Sequence, residues 1–238
     1  MTDTRAIAPA AAGEGLAGFF AEAVASLWTR RLLLPAAALV LLLTATNIVL
    51  ALHIPAPGDP VPWQFAAAGL LRLLGLFVAA VAVLRLLNGS PRPAWRPDGS
   101  TALYGATILF GLGVTLAAMR LIGDRSDAVT GLLIGAAVSA TTAPLAAWFT
   151  AIAVERPLAW RPARWLRGFG RWLPHLVFWS LLVVVPLGQL HAGIDTFLVA
   201  GAGRWFWPLA LLDGPLSALL ALLGLALAGT AYRRVARG

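Results

Sequence analysis

Long apolar runs dominate the pattern of hydrophobic and polar positions along the chain. Six of these runs reach about 20 residues, the length that an α-helix needs to cross the hydrocarbon core of a bilayer. The connections PAPGDPVP and GDRSD are short and rich in turn residues, so the helices that they join are expected to be antiparallel neighbours. The predicted spans are Leu32–Ile54, Phe65–Leu87, Ala102–Ile122, Val129–Val154, Leu173–Leu190 and Phe206–Tyr232.

The composition agrees with a membrane protein. Of the 238 residues, 60% are hydrophobic and only 12% are charged, and the mean hydropathy is +0.83. A soluble domain of this length has no use for so many apolar runs with so few charges between them. We therefore predict an all-α polytopic membrane protein with one six-helix transmembrane domain over residues 32–238. Residues 1–14 are expected to form a disordered tail, because they are rich in alanine and carry an arginine and two acids. They also lack the apolar core and cleavage site of a secretory signal.

Several kinds of chemistry are excluded by the residue types that the sequence lacks. Without cysteine there is no disulfide, thiolate nucleophile, iron–sulfur cluster or cysteine-ligated zinc. Without lysine there is no Schiff base, which excludes a retinal-binding pump. The Gly-x-Ser-x-Gly, HExxH and Walker motifs are also missing. Only Glu155 and Asp98 offer cytoplasmic carboxylates near the membrane, and both neighbour arginines that would hold them in ordinary ion pairs, so no catalytic residue is predicted.

Arginine is distributed unequally between the two ends of the predicted spans. With a cytoplasmic N-terminus, fourteen of the eighteen arginines lie on the cytoplasmic side, and only Arg120, Arg125 and Arg204 lie on the other. Positive residues favour the cytoplasmic face of a membrane protein. We therefore predict a multi-pass protein of the bacterial cytoplasmic (inner) membrane with both termini in the cytoplasm.

The segment ERPLAWRPARWLRGFGRW, residues 155–172, connects the fourth span to the fifth on the cytoplasmic side. On a helical projection its arginines cover one arc, and its tryptophans and other apolar residues cover the opposite one. This pattern predicts an interfacial helix over about residues 161–172 that binds anionic lipids or a partner protein. Nucleic acid is not an expected partner, because the segment lies between two spans. The residues of this predicted interface are Arg161, Arg164, Trp165, Arg167, Arg171 and Trp172.

A second amphipathic helix is predicted at residues 15–31, immediately before the first span. Glu22 lies on its polar face, together with Ser26 and Thr29. The opposite face is apolar and is expected to lie in the membrane interface. The residues of the apolar face are Leu16, Phe20, Val24, Leu27 and Trp28.

Small residues recur every four positions in the fourth span. Residues of this size let helix backbones approach closely inside a membrane, where the hydrophobic effect drives little association. The pattern predicts either packing at the centre of the bundle or an interface with a second copy or another membrane subunit. The residues are Gly131, Gly135, Ser139 and Ala143.

Two ionisable residues fall within the predicted spans, Arg72 in the second and Asp213 in the sixth. Uncompensated charge at that depth is costly, so we predict an intramembrane ion pair between them. The alternative is that each side chain extends separately to the outer surface. The step Asp213-Gly214-Pro215 also predicts a break in the sixth helix, because proline disfavours the helical conformation of the residue before it.

His53 and His191 both lie at the outer ends of predicted spans. Two histidines at similar depth are compatible with binding of haem or a pigment. Histidine also occurs at this depth simply as an interfacial polar residue. No other cofactor and no metal site is predicted.

Three segments resemble a group of bacterial six-span proteins that includes the membrane domain attached to some glycerophosphoryl diester phosphodiesterases. They are the amphipathic helix before the first span, AVERPLAWRPARWLRGFGRW, and PLSALLALLGLALAGTAYRRVA. The soluble phosphodiesterase domain of those fusions, with its acid and metal ligands, has no counterpart here. The resemblance therefore implies an accessory role in the membrane without phosphodiesterase activity.

Three functions are compatible with these features. The first is a non-catalytic integral membrane protein that interacts with lipid or serves as an accessory or structural subunit of a membrane assembly. The second is a transporter component, either the permease of an export ABC system or the substrate-binding subunit of a vitamin importer. The third is a haem- or pigment-binding membrane subunit that uses His53 and His191.

Overall fold

The computed structural model describes residues 15–55, 58–122, 128–154 and 162–237. Of these described residues 86% are helical and none lies in a strand, which confirms the all-α class. The helices are α1 (Leu16–Leu27), α2 (Arg30–Leu52), α3 (Trp63–Leu87), α4 (Gly99–Ile122), α5 (Ala128–Val154), α6 (Pro162–Trp179), α7 (Val185–Val199) and α8 (Phe206–Arg237).

Four helical segments within the described ranges are long and apolar enough to cross a membrane. They lie at the positions of the first, second, fifth and sixth predicted spans, at Arg30–Leu52, Trp63–Leu87, Gly170–Val199 and Gly203–Arg237. α4 and α5 lie at the third and fourth predicted spans and have 24 and 27 residues. A hydrocarbon core about 30 Å thick needs about 20 residues at 1.5 Å each, so both helices have the required length. The six-span topology itself stays a prediction.

α6 and α7 are joined without a loop. A π-helical turn, Ser180–Val184, lies between them, so that the helical path continues from Pro162 to Val199. Pro186 near the start of α7 has no N–H and would clash with the carbonyl of an ordinary preceding turn, and the wider turn relieves both effects. The predicted interfacial helix, from residue 162 on, and the span predicted at Leu173–Leu190 thus belong to one helical path, with Pro174 inside α6.

α8 is the central helix of the described bundle. It contacts α1, α2, α3, α5, α6 and α7, and its buried residues extend from Ala210 to Val235. The main hydrophobic core combines Phe19, Leu84, Leu176 and Leu227, which come from four different helices. The predicted break at Asp213-Gly214-Pro215 is wrong, because α8 continues through Pro215.

α1 packs against the bundle through the face that carries Phe19, Glu22 and Ala23. Phe19 and Ala23 are fully buried, and the side chain of Glu22 is only 8% exposed. Glu22 accepts hydrogen bonds from Nε of Arg233 at 3.3 Å and from Nε of Arg234 at 2.9 Å. Two guanidinium groups therefore compensate the buried carboxylate, and this pairing fixes which face of α1 packs against α8.

Candidate functional site

A group of polar side chains lies among apolar helices at the end of the bundle that carries the α2–α3 and α7–α8 connections. Counted at 1.5 Å per residue from the helix ends, Asn47 lies about 8 Å and Arg72 about 14 Å from that end. Four helices contribute to this group, which we call the polar cluster. Its members are Asn47, Arg72, His191, Asp195 and Asp213.

Asp213 is the most deeply buried member, with 0% of its surface exposed. Its Oδ2 accepts a hydrogen bond from Nδ2 of Asn47, and its Oδ1 lies 2.5 Å from Nδ1 of His191. A carboxylate inside a bundle is stabilised by donors of this kind, which replace the water that it loses. Because the donors belong to α2 and α7, Asp213 joins both helices to α8.

Arg72 reaches Asp213 through intermediates. Its Nη1 donates to Oδ1 of Asn47, and its Nη2 lies 3.4 Å from Nε2 of His191. The two predicted partners are therefore in one cluster, but the predicted direct ion pair is not what the structure shows. Asn47 and His191 lie between the two charges and contact both.

His191 connects a buried carboxylate to a more exposed one. Its Nδ1 faces Asp213, with the hydroxyl oxygen of Ser217 at 3.3 Å, and its Nε2 lies 3.5 Å from Oδ2 of Asp195. The exposed fraction of the side chain is 47% for Asp195, 17% for His191 and 0% for Asp213. The three groups thus form a line from the surface to the interior.

His53 has a different partner from His191. It follows the last residue of α2, and its Nδ1 lies 2.9 Å from the carbonyl oxygen of Val49 in the same helix. Both ring nitrogens of His191 contact carboxylates. This arrangement does not favour the predicted haem or pigment site, which needs a ring nitrogen that is open to the ligand.

Donor atoms of His191, Asp195 and Asp213 lie within 4.8 Å of one another, a spacing that a cation could bridge. The guanidinium of Arg72 argues against a divalent ion, because it approaches the same histidine nitrogen and would repel the ion. With His191 neutral, one arginine and two carboxylates leave a net charge of −1 on the cluster. A single added positive charge would neutralise it.

A cavity of about 480 Å³ lies beside the polar cluster, toward the end of the bundle that carries the termini. Leu73, which follows Arg72, belongs to its wall, and so does Ala221, one turn beyond Ser217. The wall is apolar except for a few hydroxyl groups. Those hydroxyls belong to Tyr104, Thr150 and Ser180.

The cavity is elongated along the helices. Its wall on α3 extends from Leu73 to Leu84, eleven residues further, which corresponds to about 16 Å at 1.5 Å per residue. A volume of about 480 Å³ is small for that length, so the space is narrow. The π-helical turn contributes Ser180 and Val184 to the wall, and a Cβ added at Gly224 would have nothing within 4 Å.

Charges near the α3–α4 connection hold the loop in place. Arg85 is fully buried and donates to three backbone carbonyl oxygens and to Asp98 at 2.8 Å. Arg92 pairs with the same carboxylate at 3.1 Å, so the predicted ion pairing of Asp98 is confirmed. Partial burial acts to raise the pKa of Asp98, but hydrogen bonds from Ser100 and Thr101 and the charge of Arg85 hold it well below its usual range.

The predicted lipid interface is only partly within the described residues. Trp172 is a core residue, 9% exposed, with the guanidinium of Arg234 at 4.5 Å from its ring centre, so the expectation that it faces lipid is wrong. A helical projection separates two arcs but does not show which one the bundle covers. Arg171 is exposed, as expected for a headgroup contact. Arg161 and the side chains of Arg164, Trp165 and Arg167 lie outside the described residues.

The predicted small-residue face belongs to α5, and its packing also lies outside the part of the chain that the structure describes. The residues concerned are Gly131, Gly135, Ser139 and Ala143.

The chain matches no protein-family model, no curated protein and no solved structure.

Proposed function

We propose that the protein is a non-catalytic integral membrane protein that holds a chain of a membrane lipid in its central cavity. In this proposal it crosses the bacterial inner membrane six times, and both termini are cytoplasmic. The excess of arginine at the terminal end of the bundle supports the orientation. The contact between Glu22 and Arg234 supports a topology in which both termini lie on the same side.

The size of the cavity is the observation that carries the proposal. The space of about 480 Å³ is partly open to the outside of the bundle, and its wall is almost entirely apolar. Water fills such a space poorly, because a buried water needs two to four polar partners and the wall offers few. An aliphatic chain fills the space without needing polar partners.

A phospholipid acyl chain matches the cavity in shape and chemistry. The space is long, narrow and apolar, and the surrounding bilayer supplies acyl chains at high concentration. Arginines at the cytoplasmic end, such as the exposed Arg171, provide the charge that attracts an anionic headgroup. An accessory role in a larger membrane assembly agrees with the resemblance to six-span membrane domains.

Filling the cavity with a side chain tests this function. Gly224→Leu places four carbons into the open space, whereas Gly113→Leu adds the same group at an exposed position of α4. We expect native mass spectrometry of the mildly extracted chain to show about one retained phospholipid for wild type and Gly113→Leu. Retention by Gly224→Leu should fall at least fivefold without a loss of thermal stability. Equal retention by the two variants would contradict the proposal, and so would a wild-type chain that carries no lipid.

A transporter component is the second candidate function, and the polar cluster favours it. Ionisable residues inside spans commonly belong to ion or proton pathways. The described residues 88–98 of the α3–α4 connection contain no helix, which argues against an ATPase-coupling helix in this loop. A proton-linked carrier should speed proton equilibration across vesicles that contain the chain, and Asp213→Asn should abolish the effect. Equilibration no faster than in empty vesicles would exclude this function.

A further inference from the structure

Nε2 of His191 has two neighbours that require opposite states of the nitrogen. It lies 3.4 Å from Nη2 of Arg72 and 3.5 Å from Oδ2 of Asp195. A guanidinium only donates hydrogen bonds, and an ionised carboxylate only accepts them. An unprotonated Nε2 therefore bonds with Arg72, and a protonated Nε2 bonds with Asp195. One state of the ring cannot satisfy both neighbours.

Nδ1 of His191, in contrast, keeps its proton in both states. It lies 2.5 Å from Oδ1 of the fully buried Asp213, whose other oxygen accepts from Asn47. A carboxylate in this position accepts the Nδ1–H and fixes the orientation of the ring. The nearby hydroxyl of Ser217 can turn its own hydrogen away from the ring. Exchange of a proton is thus confined to Nε2.

The charge of the cluster favours uptake of one proton. The charged groups that face His191 are Arg72 from α3, Asp195 from α7 and Asp213 from α8. With a neutral ring they sum to −1, and with a second proton on the ring the cluster is neutral. A neutral cluster is better tolerated among apolar helices than a charged one. Uptake of a proton also leaves Arg72 in place, whereas a larger cation would have to displace it.

We propose that the polar cluster is a binding site for one exchangeable proton, which His191 takes up on Nε2 through Asp195. Asp195 lies four residues from the end of α7, about 6 Å at 1.5 Å per residue, and its side chain is half-exposed. The proton passes from water, or from the protonated carboxyl of Asp195, to the Nε2 lone pair. The ring becomes an imidazolium, and Nε2–H then donates to the Asp195 carboxylate.

Proton uptake replaces a contact between two helices with a contact inside a single helix. Arg72 and His191 link α3 to α7, whereas His191 and Asp195 both belong to α7. After uptake Arg72 loses its acceptor on the ring and keeps Asn47. The change occurs beside Leu73, where the cavity wall on α3 begins. The proton site does not depend on which molecule fills the cavity.

Nitrogen-15 NMR of the histidine rings tests the proposal on the full chain in phospholipid nanodiscs between pH 5 and 9. The sequence contains three histidines, and the His191 signals are identified by their loss in His191→Gln. We expect a neutral ring with its proton on Nδ1 at high pH and a ring protonated on both nitrogens at low pH. His53→Gln is the matched control and should leave the His191 signals unchanged.

Two further variants should shift the ratio of protonated to neutral His191 in opposite directions. At the pH where wild type is half protonated, Asp195→Asn should lower the ratio of protonated to neutral His191 at least threefold, because it removes the charged acceptor. Arg72→Gln should raise that ratio at least threefold. A ring that stays in one state throughout, a neutral ring protonated on Nε2, or two variants that shift the ratio in the same direction would overturn the proposal. If Arg72→Gln does not fold, the half-exposed Asp195→Asn decides the question alone.

Discussion

Gly214→Ala should destabilise the protein, although alanine is the better helix residue. Gly214 follows Asp213 in α8, and a Cβ added there would lie 2.5 Å from the Cα of Thr44 in α2. Ordinary contacts of a Cβ begin at 3.4 Å, so α2 would have to move away by about 1 Å in a bundle that resists overpacking. Asn47, three residues after Thr44, would move with α2 and lengthen its hydrogen bond to Asp213.

The opposing free-energy terms give the sign and the size of the effect. Replacing glycine by alanine in a helix interior contributes about 1 kcal/mol of stability. Overpacking against backbone costs about 1–3 kcal/mol, and loss of a hydrogen bond to a charged group costs about 1.5–3 kcal/mol. The net loss is therefore about 1.5–5 kcal/mol. For a chain of this size 1 kcal/mol shifts the midpoint of thermal unfolding by about 2–4 °C, so we expect Gly214→Ala to lower it by at least about 3 °C.

Gly224→Ala on the same helix is the control, because its added Cβ would meet nothing within 4 Å. It should raise the unfolding midpoint by about 2–4 °C, since only the helix propensity term remains. Both variants are compared with wild type in one detergent by circular dichroism. If Gly214→Ala unfolded at or above the wild-type midpoint, the close approach of α2 and α8 beside the polar cluster would be refuted.

Three further changes test the charged contacts outside the polar cluster. Arg85→Met should lower the free energy of unfolding by about 3–5 kcal/mol, because it leaves three backbone carbonyl oxygens without their donor and removes the buried partner of Asp98. Arg92→Met at the more exposed pair should cost at most about 1 kcal/mol, and thermal unfolding of the two variants makes the comparison. Glu22→Gln should weaken the packing of α1 against α8, since two buried arginines lose their counter-charge. Limited proteolysis should then cleave the chain on the N-terminal side of α2 faster than in wild type. Because the pKa of Asp98 is lowered in the folded protein, the ionised carboxylate stabilises the fold above the ordinary aspartate pKa of about 3.9, and this contribution declines as the pH falls below that value. The difference in the free energy of unfolding between wild type and Asp98→Asn should therefore narrow between pH 6 and pH 3. A constant difference would contradict this.

The apolar pattern predicts where the helices lie, because a helix that crosses a bilayer needs an apolar run of about 20 residues. The span predicted at Phe65–Leu87 corresponds to α3 at Trp63–Leu87, where the flanking prolines and polar residues mark both ends. The sequence pattern fails at Asp213-Gly214-Pro215, where a break was predicted and α8 continues. Proline is tolerated inside such helices because neighbouring helices hold the chain in place around it.

Part of the polar cluster was also accessible from sequence. Arg72 and Asp213 stand out as charges within apolar runs, and His191 was singled out as a candidate ligand. Asn47 was missed, although it is a polar residue inside the first span and so carried a signal of its own. The contacts themselves depend on the rotation of each helix about its axis, where one residue of error turns a side chain by about 100°. The cavity depends on how six α-helices and the π-helical turn fit together, and no single segment encodes it.

The polar cluster is a costly way to join helices if stability is its only role. Replacement of a buried ionic network by apolar residues of similar size is often neutral or stabilising, since the desolvation of several charged groups is avoided. Leucine at Asn47 and Asp213 would pack α2 against α8 equally well wherever Gly214 permits close approach. What leucine cannot supply is the carboxylate that accepts the Nδ1–H of His191 and so holds Nε2 between a donor, Arg72, and an acceptor, Asp195. The arrangement of the cluster is therefore better explained by exchange of a proton than by adhesion of helices.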